Sequence, residues 1–272
     1  MINEFHGFIN SKLIEIAVDS NDPVKKFYEH VLERFEVNLS AIESLLEIYK
    51  NNPKIKLSLG LILRAVNSDF LSVLYLATFP DKEKVGALNE LNILQKDYVK
   101  SILDFGKEEL ALNEKYFSNR VESIEKSKFH IEDLHNDYPE LFKKVDNRYA
   151  LKTNSELRKS SPDYLFPELE DKKLPNGFIS EAYRYKRLKL LGSDRYAAQA
   201  YLAFKYYSQF QHISPSSSRI LEYNNKILDN KFLLMSIEVL IIGVNLILKV
   251  ITGDGSKREI DIFINRIIKL VN

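Results

Sequence analysis

Residues 232–251, FLLMSIEVLIIGVNLILKVI, form the most apolar run in the chain, broken only by Ser236, Glu238, Asn245 and Lys249. As a helix this run has no face polar enough to look at water, so it needs neighbours on nearly every side. Its length would suffice for a bilayer, which takes about 20 mainly apolar residues. However, Glu238 and Asn245 would then lie in hydrocarbon at a cost in free energy, and the flanks LDNK and TGDGSK carry no positive bias to set an orientation. A membrane span is therefore the disfavoured reading. A central helix in a soluble bundle is the favoured one, and a dimer interface is compatible with it.

The rest of the composition fits that reading. A chain of 272 residues can bury a core without metal or disulfide. Net charge is +1, so no global field points to a polyanionic or acidic partner. The absence of cysteine excludes thiol catalysis, Cys-ligated zinc and disulfides, and it suits a reducing, cytoplasmic setting. MINEFHGFINSKL lacks the charged and apolar regions of a secretion signal. Only nine glycines argue against a sheet fold rich in tight turns.

Helical signals recur along the whole chain. Asp22-Pro23 is an N-cap followed by Pro at the first helical position. The apolar steps from Val24 to Tyr49 then make a long amphipathic helix, ended by Asn51-Asn52-Pro53. A second helix spans about Ile55 to Phe79, with Arg64 in an apolar column. Pro80-Asp81 opens a third, which Gly106 bends or ends. From about 149 to 178 the pattern breaks down, with Pro162, Pro167 and Pro175, and an irregular connection is expected. Ser180 caps a helix to Leu191, Gly192 stops it, and a further helix runs from Arg195 to about Ile213. Ser256 and Glu259 form a capping box before a last amphipathic helix. The expected fold is all-α: one domain over 1–272, a multi-helix bundle around the buried apolar helix.

Three groups could carry chemistry. Tyr201, Lys205, Ser208 and His212 fall on one helical line, and a histidine at a helix C-terminus is well placed to titrate. The competing reading gives His212 and Ser208 capping and backbone hydrogen bonds. A second group is Arg64 with Glu238 and Asn245. A buried charge needs a partner, so Arg64 and Glu238 are expected to meet, or each to meet His212 or Asn245. A structural ion pair is favoured there over a catalytic one. The third is the basic, aromatic stretch with Arg184, Tyr185, Lys186 and Arg187. Arginine and lysine hold phosphates while tyrosine stacks on bases, and a solvated helix face is the alternative. No Gly-rich phosphate loop, H-E-x-x-H helix or G-x-S-x-G elbow is present. The HIEDLH stretch places His130 and His135 five apart, which points them in different directions on a helix. No metal site and no cofactor are expected.

LGLILRAVNSDFLSVLYL (59–76) and AYLAFKYYSQFQHIS (200–214) resemble helices of bacterial all-helical proteins that are similar to the HEPN superfamily. That superfamily includes toxin and abortive-infection ribonucleases as well as non-catalytic binding members. The resemblance covers these two helices and the apolar helix that follows. Active members carry Arg and then, a few residues on, His. Carried over, the histidine is His212 and its basic partner falls on Lys205, where the family has Arg; Tyr206 and Tyr207 are the other positions in reach. The resemblance implies His212 as general acid or base, Lys205 stabilising charge and Ser208 positioning it, across a two-fold homodimer. The expected function is a HEPN-like protein, non-catalytic or weakly catalytic, that binds a nucleic acid such as RNA or a protein partner in a bacterial defence setting. The alternatives are a metal-independent ribonuclease using His212 and Lys205, and a purely structural interaction protein.

Overall fold

The structure is a computed structural model that describes residues 2–16, 22–49, 51–52, 55–146, 148–160, 179–192, 195–211, 226–253, 260–263 and 265–266. In chain order its elements are α1 (Ile2–Ile16), α2 (Pro23–Tyr49), α3 (Lys56–Ala77), α4 (Asp81–Tyr116), α5 (Val121–Asp137), β1 (Phe142–Val145), β2 (Arg148–Leu151), α6 (Asn154–Ser160), α7 (Glu181–Leu190), α8 (Arg195–Ser208) and α9 (Lys226–Thr252). The fold is all-α, a multi-helix bundle with one small hairpin among the described residues. Within the stretch read as a single domain lie two compact units, Met1–Pro80 with Ser180–Asn272, and Asp81–Ile179.

In the first unit the apolar run forms α9 and is surrounded as expected. Between Phe232 and Ile251 only Lys249 is exposed. The hub is α3, which packs against α2, α7, α8 and α9. Phe35 of α2, Phe70 of α3 and Leu240 of α9 are fully buried, and each such side chain contributes about 1.5–3 kcal/mol of transfer free energy. Gly243 makes the close approach here: a Cβ on it would lie 2.7 Å from Phe35 Cε2 and 3.0 Å from Phe70 Cδ2. Two helices, Lys56–Ala77 and Asn230–Thr252, are long and apolar enough to cross a membrane, and the core helix of a soluble protein meets the same measure. The chain ends meet on α1, where Phe263 packs edge-on against Phe5 at 4.8 Å and Arg266 pairs with Glu4.

The expected start signals hold. Asp22 Oδ1 accepts from the backbone N–H of Val24 at 2.9 Å and of Lys25 at 3.4 Å, with Pro23 opening α2. Ser180 Oγ accepts from Tyr183 N, and α7 stops at Gly192, whose φ of +69° suits glycine. The capping box at Ser256 and Glu259 lies outside the described residues.

In the second unit, α4 continues through Gly106 to Tyr116 instead of ending there. An interior glycine costs a helix only about 1 kcal/mol against alanine, and tertiary packing outweighs it. The irregular segment expected from 149 begins as regular structure: β1 and β2 form an antiparallel hairpin pairing Phe142 with Leu151 and Val145 with Arg148, and α6 follows. Asp146 at the turn has φ +48°, a left-handed conformation that Asp tolerates. Residues 161–178 lie outside the described residues. Val99 and Leu103 of α4, Leu134 of α5, Leu141, Phe142 and Leu157 form this unit's core.

Candidate functional site

The polar residues singled out in the sequence are placed by α3, α7, α8 and α9. Arg64 and Glu238 do not meet. Arg64 Nε donates to Ser208 Oγ at 3.1 Å, and its guanidinium lies over the Phe204 ring at 4.8 Å. A half-buried cation is held there by one hydroxyl and one aromatic face. Ser208 Oγ, at the last position of α8, in turn donates to the Phe204 carbonyl at 2.7 Å, the i−4 bond of a helical serine. Glu238 finds its cation on α8: Arg195 Nη2 lies 2.8 Å from Oε1, and Gln199 Nε2 donates to Oε2 at 3.1 Å. Asn245 joins neither pair, and its Oδ1 is buried with no hydrogen-bond partner among the described residues. A further polar tie, between α3 and α9, involves Asn67, whose Nδ2 donates to Ser236 Oγ at 2.7 Å and to Leu63 O at 2.6 Å.

The basic stretch of α7 divides in two. Arg184 turns inward and is buried. It donates to Ser72 Oγ and lies 3.3 Å from Glu181 Oε1, which also accepts from Ser68 Oγ at 2.9 Å. Burial pulls the Arg184 guanidinium below its ordinary range, against the pull of Glu181 and Asp69. Burial likewise pushes the Asp69 carboxyl up, opposed by Arg34, whose Nε is 2.9 Å away. Arg187 lies over Phe79 at 4.1 Å. Arg184 is therefore not a surface contact for phosphate, while Lys186 is exposed. Tyr185 stacks on Tyr201 of α8 at 4.3 Å.

Of the proposed catalytic trio, two members lie among the described residues. Lys205 is exposed on α8, Ser208 is engaged with Arg64 and Phe204, and His212 lies outside the described residues. No group of His, Asp or Glu among the described residues is arranged to hold a metal. In the HIEDLH stretch, His135 stacks on Tyr149 at 4.3 Å and meets Phe142 edge-on at 4.6 Å. Burial lowers its pKa.

α7 and α8 each leave a stripe of residues exposed. On α7 the exposed positions are Ala182, Lys186, Lys189 and Leu190; on α8 they are Arg195, Ala198, Leu202 and Lys205. The α8 stripe steps by three or four residues opposite the buried Ala197, Ala200 and Phe204, and on α7 Ala182, Lys186 and Lys189 do so opposite Arg184 and Leu188, with Leu190 adjoining. The two helices pack on each other. Their exposed charges are all positive among the described residues, for Glu181 is half-buried against Ser68 and Arg184. Lys189 belongs to the basic stretch singled out in the sequence; Leu190 and Leu202 were not singled out, although the step opposite Ala197 and Ala200 marks Leu202. Comparison with protein-family models, curated proteins and solved structures finds no match.

Proposed function

We propose that this is a non-catalytic, HEPN-like helical protein that binds RNA on the outward face of α7 and α8, in the defence setting that the resemblance implies. One observation carries the reading: that face exposes Lys186, Lys189, Arg195 and Lys205 and no carboxylate among the described residues. Cations placed this way exchange condensed counterions for phosphates. The Tyr185–Tyr201 stack between the helices adds a flat aromatic edge beside them. The engagement of Ser208 with Arg64 argues against a role for that hydroxyl in phosphodiester chemistry.

The test is a titration of the full chain with labelled single-stranded RNA at several salt concentrations. About four phosphate contacts give a slope near −2.8 in log affinity against log salt, about a fifty-fold loss between 50 and 200 mM. Cleavage that disappears in His212→Ala supports the ribonuclease alternative. The exposed leucines, with Leu190 at 78%, favour a protein partner as the second reading, and RNA affinity absent even at low salt supports it.

A further inference from the structure

The second unit carries a separate surface of opposite character. A groove of about 340 Å³ runs between α4 and α5, lined by Ile102, Phe105, Gly106 and Glu109 on one side and Asp133, Leu134 and Asp137 on the other. Its floor is mainly apolar. Gly106 contributes no side chain, which leaves room between the helices. Phe105 stands 65% exposed at the edge, a large ring that a folded chain normally covers. The rim holds three carboxylates, and no Lys, Arg or His lines it among the described residues. On the far side of Phe105 lie Asp104 and Glu108, with Lys100 beside them, so the uncompensated negative rim is that of Glu109, Asp133 and Asp137.

An apolar floor with an anionic rim is complementary to one kind of ligand, an apolar side chain flanked by cations. We infer that this groove docks a basic amphipathic segment of a partner protein. An apolar side chain of that segment fills the floor over Ile102 and Leu134. A flanking arginine or lysine reaches Asp133, Asp137 or Glu109, and an arginine also lies over the Phe105 ring. The groove's volume is in the range of sites that bury a side chain or small ligand. This surface belongs to the second unit, and the inference does not rest on RNA binding by α7 and α8.

The experiment uses the full chain and three labelled synthetic helix-forming peptides read by fluorescence anisotropy. The first is built of leucine and arginine, the second replaces arginine with glutamate, and the third replaces leucine with serine. The leucine–arginine peptide is expected to bind, and the other two at least about tenfold more weakly. Asp133→Asn with Asp137→Asn, and separately Phe105→Ser, are each expected to weaken the first peptide about tenfold or more, with circular dichroism unchanged. Should Asp133→Asn disturb folding, Asp137→Lys at its exposed position carries the same test. Equal binding to wild type and variants overturns the proposal. So does equally tight binding of the serine–arginine peptide, which would reduce the effect to bulk charge. RNA affinity of these groove variants stays at the wild-type level, so failure here and failure of the RNA reading are separately visible.

Discussion

Arg195 reaches Glu238 from α8 to α9, Nη2 to Oε1 at 2.8 Å, and the two ends of this pair live in different surroundings. The arginine side chain is 64% exposed and the glutamate 12%. Water screens the exposed end, so the pair itself contributes about 1 kcal/mol or less. Removing the cation is worse than that figure suggests, because a mostly buried carboxylate is left with Gln199 alone. Arg195→Ala is expected to lower stability by about 1–2 kcal/mol. Glu238→Gln keeps one of the two acceptor oxygens and removes the buried charge that needs a cation, and it is expected to cost less. Urea denaturation of both variants and their combination measures the coupling; a larger loss for Glu238→Gln would contradict this account.

Gly243 sits where α9 meets the rings of Phe35 and Phe70, both fully buried. An added methyl gains about 1 kcal/mol of helix propensity. It also places a Cβ 2.7 Å from Phe35 Cε2, closer than packed carbons come, with Phe70 Cδ2 only 3.0 Å away and both rings fully buried. Overpacking of this kind costs about 1–3 kcal/mol. Gly243→Ala is thus expected to lower the melting temperature, and a rise would show that α9 packs more loosely on α2 and α3 than described.

The sequence spoke clearly wherever one segment decides its own structure. Asp22-Pro23 and Ser180 act through bonds to backbone a few residues away, and the run at 232–251 needs burial whatever surrounds it. It was silent where helix register decides. Glu238 required a cation, yet which one depends on how α8 lies on α9, and that brought Arg195 instead of Arg64. Arg184 reads as one of several equal cations in a polar stretch, because Leu188 alone marks the inward side of α7 as apolar. The hairpin at 142–151 has four-residue strands, too short for alternation to stand out, and Lys143 and Lys144 obscure it.

That division of α7 separates stability from binding. Arg184 is buried beside the half-buried Glu181 and Ser72, so Arg184→Ala removes a buried cation together with its partners' bonds and is expected to cost about 2–3 kcal/mol. Lys186 is exposed, and Lys186→Ala is expected to shift stability by less than about 0.5 kcal/mol. RNA affinity is expected to respond in the opposite order. Lys186→Ala reduces the salt slope by about 0.7, whereas the folded fraction of Arg184→Ala binds as wild type does. Denaturation and RNA titration on the two variants test both halves, and a normal salt slope in Lys186→Ala removes that lysine from the interface.

Glu156 gives the second unit a defined response to acid. Thr153 and Glu156 form a capping box at the start of α6: Glu156 N donates to Thr153 Oγ1 at 3.2 Å, and Thr153 N donates back to Glu156 Oε2 at 2.7 Å. Lys143 of β1 binds the other carboxylate oxygen, tying the hairpin to the helix. The Lys143 hydrogen bond, then those of Thr153, hold the Glu156 carboxyl down to about 2, against an ordinary value of 4.5. A depressed carboxylate stabilises the folded state fully above its unfolded pKa. That contribution is lost as pH falls from about 4.5 through about 2. Glu156→Gln cannot titrate, so its stability is expected to fall less steeply than that of wild type across this window. Carboxyl-carbon NMR titration reads the pKa directly, and a midpoint for Glu156 near 4.5 would mean that Lys143 and Thr153 do not hold it in solution.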